Sequence, residues 1–241
     1  MPPNDPDRAT AGARRLRAAR IVAFGLLAAA VCIRLGVWQL DRLEQRRAAN
    51  ARILHGLAAP PLRLDAAASG EDLAFRRATA RGRWDPAHEV ILYGRPLEGR
   101  PGNHVLTPLV LGDGRAVLVD RGWVPAEIDA GPVGGGAAAV GVEVEVTGTL
   151  LPADGGGAPA SSPVRVVRSV DVALLDAQIP SDLIDGVYLL LASQRPAVDE
   201  PVPAPLPELT EGPHRSYAIQ WFLFAAIALV GSVLLARRDA G

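Results

Sequence analysis

The sequence contains no lysine; all 25 of its basic residues are arginine. With the many Ala, Gly and Pro this points to GC-rich coding rather than to a function. There is one cysteine, Cys32. A lone cysteine excludes an intramolecular disulfide, a CxxC motif and a cysteine-based zinc site. Cys32 lies inside a hydrophobic run, where it reads as a buried, inert thiol, and no cysteine nucleophile is left for the rest of the chain. Aromatic residues make up 5% and the formal net charge is −1, so no basic field calls for nucleic acid. The motifs of common enzymes are missing as well. There is no GxSxG, HExxH or Walker loop, and no GxGxxG between a strand and a helix. "GPVGGG" has glycines but neither the lysine nor the helix that phosphate binding needs. His55, His88, His104 and His214 show no metal-ligand spacing. These absences predict a protein that is not an enzyme.

Two long hydrophobic runs are present. Crossing a bilayer takes about 20 apolar residues in a helix. Tyr217–Ala236 carries no charge and ends at Arg237 and Arg238. Ile21–Leu40 is interrupted by Arg34, which can snorkel to the headgroups. Arg8, Arg14, Arg15, Arg17 and Arg20 precede this run. Arginines before the first run and after the second predict both termini in the cytoplasm, against Arg42, Arg46 and Arg47 on the other flank. The expected division is a basic N-terminus (1–20), a first transmembrane helix (21–40), an extracytoplasmic domain (41–213), a second transmembrane helix with a polar first turn (214–236) and a short tail (237–241). A cleaved signal peptide ending near Ala28-Ala29-Ala30 and a lipoprotein anchored at Cys32 are the alternatives for the first run. The apolar stretch continues past the former, and the second span makes the latter unnecessary. The short basic N-terminus lacks a long transit peptide, which favours a bacterial plasma membrane over a mitochondrion.

The intervening stretch is β-rich. Segments 88–95, 104–111, 115–124, 141–151 and 187–193 are dense in Val, Ile and Leu and separated by Gly- and Pro-containing turns. "VEVEVTG" alternates apolar and charged residues, as a strand with one wet face does. Residues 169–179 predict a helix capped by Ser169 or Asp171. Residues 129–139 and 152–163 read as mobile low-complexity loops, and 195–214 as a proline-rich extended connector. The fold class is a membrane protein: two antiparallel transmembrane helices flank an antiparallel sheet or small barrel of α+β type.

Two groups of residues invite a functional reading. "VDRGWV" packs Asp120, Arg121, Gly122 and Trp123 together. It reads either as a structural corner, with Arg121 pairing Asp120, Trp123 covering the core and Gly122 allowing a bend, or as a contact with a partner. At the start of the second run, His214, Tyr217 and Trp221 share one helical face, with Gln220 beside it. Arg34 and Trp38 stand one turn apart at the matching level of the first run. Trp and Tyr are common at membrane borders, so this group is either an ordinary interfacial belt or a ligand site. The chemistry of the second option is coherent: imidazole ligates haem iron, aromatic rings stack on a porphyrin, and arginine pairs with propionates.

Three segments then carry a resemblance. "LGVWQLDRLEQRRA" (35–48), "ARGRWDPAHEVIL" with "GNHVLTPLVLGDGRAVLVDRGWVP" (80–92 and 102–125) and "HRSYAIQWFLFA" (214–225) occur in the order found in the SURF1/Shy1 family of cytochrome c oxidase assembly factors, and the sequence resembles that family over residues 21–238. It departs from the family at Asp120, where asparagine is frequent, and in its longer Gly/Ala/Pro loops. The resemblance implies a role in assembling haem-copper oxidase. It implies transient handling of haem a, with His214 as iron ligand and Trp221 beside it. The expected haem a site comprises His214, Trp221, Tyr217, Gln220, Arg34 and Trp38, with Arg34 or Arg215 meeting the propionates. Arg121 and Trp123 are expected to dock the oxidase catalytic subunit or the haem a synthase. The rival expectations are an assembly factor that binds oxidase subunits without haem, and a membrane-anchored enzyme.

Overall fold

In the computed structural model, residues 6–64, 73–128, 141–154 and 163–240 are described. The chain divides into two compact units, residues 1–51 with 209–241, and residues 52–208. Most of the two low-complexity loops lies outside the described residues.

The first unit is a pair of helices. Helix α1, Pro6–Ala58, is 53 residues long, and its last turns belong to the second unit. The sequence predicts a helix only over the apolar run. The flanks continue it because they are rich in Ala, Leu, Arg, Gln and Glu, all strong helix formers. Pro60 and Pro61 follow its end, where the first disfavours helical backbone in Ala59. The other long helix of this unit, His214–Ala240, is α3 in chain order. Pro213 precedes it, and the Pro213 carbonyl accepts from Tyr217 N and Ser216 Oγ. Arg237 and Arg238 sit in its last turn, where the carbonyl end of the helix dipole favours cations. Both helices are long and apolar enough to cross a membrane.

The two helices are antiparallel and packed through small residues. On α1 the buried or half-buried positions include Gly25, Ala29, Cys32, Gly36, Gln39 and Leu43; on α3 they include His214, Ala218, Trp221, Ala225, Ala228 and Ser232. Each set recurs at three- and four-residue steps, the period of one helical face. A Cβ at Gly25 would overlap Ser232, and one at Gly36 would lie 2.7 Å from Cε1 of Phe222. Glycine at these points lets the backbones approach, as in small-residue seams of membrane helices. Away from the seam, large apolar side chains such as Phe24, Leu27, Ile227 and Val230 are exposed.

The second unit is a β-barrel with an outer layer. In chain order its strands are β1 (Leu62–Arg63), β2 (Arg77–Trp84), β3 (Val90–Leu92), β4 (Gly102–Leu111), β5 (Ala116–Pro125), β6 (Glu143–Pro152), β7 (Val166–Val167) and β8 (Val187–Arg195). The sheet order is β1-β2-β6-β8-β5-β4-β3-β7, and β2 also pairs with β4. That second pairing closes β2, β6, β8, β5 and β4 into a five-stranded barrel. β5 and β8 run parallel and the other closing pairs run antiparallel. The expected small barrel is therefore present, with one parallel pair in place of a purely antiparallel order.

Strand β2 has no counterpart in the sequence reading. Its pattern, "RATARGRW", carries no long aliphatic run, yet Ala78, Ala80 and Trp84 are buried while Arg77, Arg81 and Arg83 are exposed. Small alanines suffice where a narrow barrel turns inward. Gly82 is paired with both Val144 of β6 and Leu111 of β4. A Cβ there would run into the Val110 carbonyl, so the closing contact needs glycine.

The interior is filled by Ala78, Ala80, Trp84, Leu109, Leu111, Val117, Val119, Val144, Val146, Leu150, Leu189 and Leu191, drawn from all five strands. The opposite faces of β4 and β5 present Leu106, Ala116 and Leu118 to a second core. This core is covered by the short helix α2, Val172–Asp176, through Val172 and Leu175. Asp171 caps that helix by accepting from Leu174 N, so of the two expected caps it is Asp171 that acts. The connector after β8 returns along β5, where Val202 exchanges two backbone hydrogen bonds with Trp123.

Candidate functional site

Strand β5 departs from strict alternation inside "VDRGWV". Asp120 stands opposite Leu106 and Gly122 opposite Val105, so Arg121 is the extra residue of a bulge. Asp120 and Arg121 engage different groups. Arg121 shares the inward face with Val117 and Val119 and is fully buried. Its Nη1 donates to Glu89 Oε2 at 3.3 Å, Thr107 Oγ1 donates to the same oxygen at 2.8 Å, and the guanidinium lies 5.1 Å from the Trp84 ring centroid. Burial pulls the Arg121 pKa down, with Glu89 opposing. Asp120 turns outward and accepts from His104 Nδ1 at 2.8 Å and from Gly122 N at 3.0 Å. Trp123 is 4% exposed, with Arg100 packed 4.7 Å from its ring centroid. Arg121 and Trp123, the residues expected to dock a partner, are both buried. Arg121 lies inside the barrel beside Thr107 and Trp84, and Trp123 lies beneath Arg100. The structural-corner reading holds for Trp123 and Gly122, with Glu89 replacing Asp120 as the partner of Arg121.

The helix pair places the other candidates. His214, the first residue of α3, is half-buried against α1. Its Nδ1 lies 2.9 Å from Oε1 of Gln39. An amide oxygen can only accept, so Nδ1 carries the hydrogen, and the nitrogen that can offer a lone pair is Nε2. About two turns further along α1, Arg47 makes a two-pronged contact with Glu211: Nε to Oε1 at 2.8 Å and Nη2 to Oε2 at 2.9 Å. Asn50 Nδ2 donates to the Thr210 carbonyl at 3.2 Å. These bonds tie the segment leading into α3 to α1 and so fix where His214 begins. The hydrogen bond from Arg47 holds the Glu211 carboxyl below its ordinary range, with the charges of Arg47 and Arg215 assisting.

The aromatic residues distribute unevenly. Trp221 is half-buried on the seam, two turns from His214, and its ring meets Phe224 edge-on at 5.8 Å. Tyr217 is 47% exposed. At 3.6 residues per turn it stands about 60° from His214 around α3, and Gln220, also exposed, is turned about 120° away. The expected single stripe of His214, Tyr217 and Trp221 is in fact centred on His214, Ala218, Trp221 and Ala225.

Arg34 and Trp38 differ from expectation. Each is two residues from Gly36, and two residues on a helix is a rotation of about 200°. Gly36 faces α3, so Arg34 and Trp38 face the other way, and both are exposed. The residue on α1 that meets His214 is Gln39. It is visible in the sequence as the Gln of "GVWQL", three residues after Gly36, but only the seam register identifies it. His88 and His104 are engaged with Asp85 and Asp120. Among the described residues no group of three His, Cys, Asp or Glu could hold a metal ion.

Donation by Nδ1 to a fixed acceptor, with Nε2 left basic, is the arrangement that a metal-ligating histidine needs. The residues present therefore fit a single axial ligand to haem iron. Arg215, exposed and adjacent to His214, is a guanidinium at the same level, which Arg34 is not.

The SURF1 family pattern matches residues 26–226, a range that includes Gln39, Glu89, Arg121, His214 and Trp221. A SURF1-like protein of Mycobacterium bovis is 30% identical over 227 residues, covering 88% of this chain and 79% of the relative. A SURF1-like protein of Rickettsia felis is 30% identical over 100 residues, 41% of this chain and 43% of its own. One from Dictyostelium discoideum is 29% identical over 113 residues, 43% and 38% of the two chains.

Proposed function

The chain belongs to the SURF1 family, which implies a role in cytochrome c oxidase assembly, and from that premise we propose that it holds haem a transiently and assists its insertion into the oxidase catalytic subunit. The observation that carries this reading is the His214–Gln39 hydrogen bond, because it leaves one ring nitrogen oriented and free to ligate. Haem a is cargo here. His214 Nε2 holds its iron, Trp221 and Tyr217 offer ring faces, and Arg215 meets the propionates. A single protein ligand suits a cofactor that must be released.

The two long helices cross the bacterial plasma membrane with both termini in the cytoplasm, and the barrel lies on the opposite side. The exposed surface of the barrel, rather than Arg121 or Trp123, contacts the catalytic subunit or the haem a synthase. The protein acts as a chaperone and not as an enzyme; no covalent step is required of it.

The test is the optical spectrum of the protein purified from cells that make haem a. The expected result is a Soret band that disappears in His214→Ala. A band that is unchanged in the variant removes His214 as ligand. No bound haem, with oxidase still lost on deletion, replaces this reading by assembly through protein contact alone.

A further inference from the structure

Far from His214, at the end of the helix pair where α1 enters its apolar run, a groove lies beside the tight contact of Gly25 with Ser232. Gly25 and Ala28 of α1 and Ala228 and Gly231 of α3 line a groove of about 520 Å3. That volume lies within the roughly 300–1,000 Å3 typical of small-molecule sites. Small residues leave it room, above all Gly231, where an added Cβ meets nothing within 4 Å. Phe24 and Leu235 wall it. Apart from two arginines its only polar side chain is Ser232, whose Oγ already donates to the Leu229 carbonyl at 2.9 Å. The floor therefore offers a ligand nothing but apolar contact. The arginines are Arg17 and Arg20, one turn apart on α1 at the mouth.

A complementary ligand has a long apolar chain that ends in an anion. We propose that this groove binds one anionic phospholipid, with an acyl chain along Gly25, Ala28 and Gly231 and its phosphate at Arg17 and Arg20. The proposal rests on the membrane-spanning reading of α1 and α3. In that reading the arginines stand just before Ile21, where the apolar run begins, and so at headgroup depth. A soluble anion would gain nothing from the apolar walls, and a zwitterionic lipid would gain less from two guanidinium groups. Basic residues bordering a cleft between membrane helices are a recurrent means of holding such headgroups.

Gly231 supplies the decisive variant. A Cβ there meets nothing within 4 Å, so Gly231→Phe places its ring in the groove without pushing the helices apart. The full chain, purified in detergent with equal phosphatidylglycerol and phosphatidylcholine, is examined by native mass spectrometry. The expected result is retention of one phosphatidylglycerol in preference to phosphatidylcholine. Arg17→Gln with Arg20→Gln abolishes the preference, and Gly231→Phe lowers retention at least ten-fold. The arginine pair decides the matter if the Gly231 variant does not fold. Equal retention of both lipids by the unaltered chain overturns the proposal, as does full retention by Gly231→Phe. So does displacement of the lipid by haem, which would make haem the occupant. Carbonate extraction separates this from the underlying reading. A chain that stays in the membrane but keeps no phosphatidylglycerol disproves the groove alone, whereas a chain stripped from the membrane disproves both. His214→Ala leaves lipid retention unchanged if the two sites are distinct, and a loss of lipid in that variant counts against the proposal.

Discussion

His214 and Gln39, 175 positions apart in the sequence, meet across 2.9 Å, with the imidazole Nδ1 donating to the amide Oε1. This bond sets the tautomer of His214 and turns Nε2 into its available nitrogen. The group that decides what His214 can do therefore stands on the other helix.

Removing that partner should affect haem handling without touching the ligand. Partners that orient a metal-bound histidine are worth about 10–100-fold in affinity. Gln39→Ala is expected to weaken haem binding by that amount. Gln39→Glu, which keeps an acceptor at the same place, should bind as well as the unaltered chain or better. A haem titration followed at the Soret band checks both, and unaltered binding by Gln39→Ala would break the link.

The seam predicts an asymmetry between two glycines. At Gly25 an added methyl meets Ser232 Cβ and comes within 3.1 Å of the Ala228 carbonyl oxygen, neither of which can move aside alone. At Gly36 it meets the far end of the Phe222 ring, which can swing. Gly25→Ala should cost about 1–3 kcal/mol, the usual range for overpacking, and Gly36→Ala clearly less. Thermal unfolding of the detergent-solubilised chain measures the difference. Equal losses would mean that the helices shift together.

Inside the barrel the test is Glu89. Its carboxylate faces the buried guanidinium of Arg121 and accepts from Thr107. Taking one partner from a buried ion pair typically costs about 3–5 kcal/mol, because the other charge is left without its counter-charge. Glu89→Ala is expected to lose stability on that scale in denaturant unfolding of the full chain. Glu89→Gln should lose less, since an amide oxygen still accepts. A neutral result for Glu89→Ala would show that Arg121 reaches water or another acceptor.

A pH dependence follows from Tyr188. Burial, followed by the negative charges of Asp120 and Asp154 and opposed by Arg95, pushes its phenol up to about 12. The unfolded value is about 10, so the folded state favours the neutral phenol. The resulting stabilisation is complete below about pH 10 and is lost as the pH rises through about 12. The difference in phenolate absorbance between the chain and Tyr188→Phe should show a transition near that higher value. A transition at the ordinary tyrosine value would place Tyr188 in water.

The sequence determined those features that depend on local pattern. Two apolar runs bordered by arginines gave the two long helices, and aliphatic blocks between turn residues gave β3 to β6 and β8. The Asp171 cap was legible for the same reason. Strand β2 was not, because its buried positions before the terminal Trp84 are alanines and a glycine, which bear little hydrophobic signal and are adequate only inside a narrow barrel. Tertiary structure alone decided which faces meet. Arg121 and Asp120 are neighbours in the chain and yet serve opposite sides of one strand. Trp38 and Gln39 are neighbours and yet Trp38 is exposed while Gln39 reaches His214. Sequence proximity specifies that such residues lie close along the backbone, but the direction of a side chain is fixed by strand register and helix packing, which arise from contacts between segments far apart in the chain.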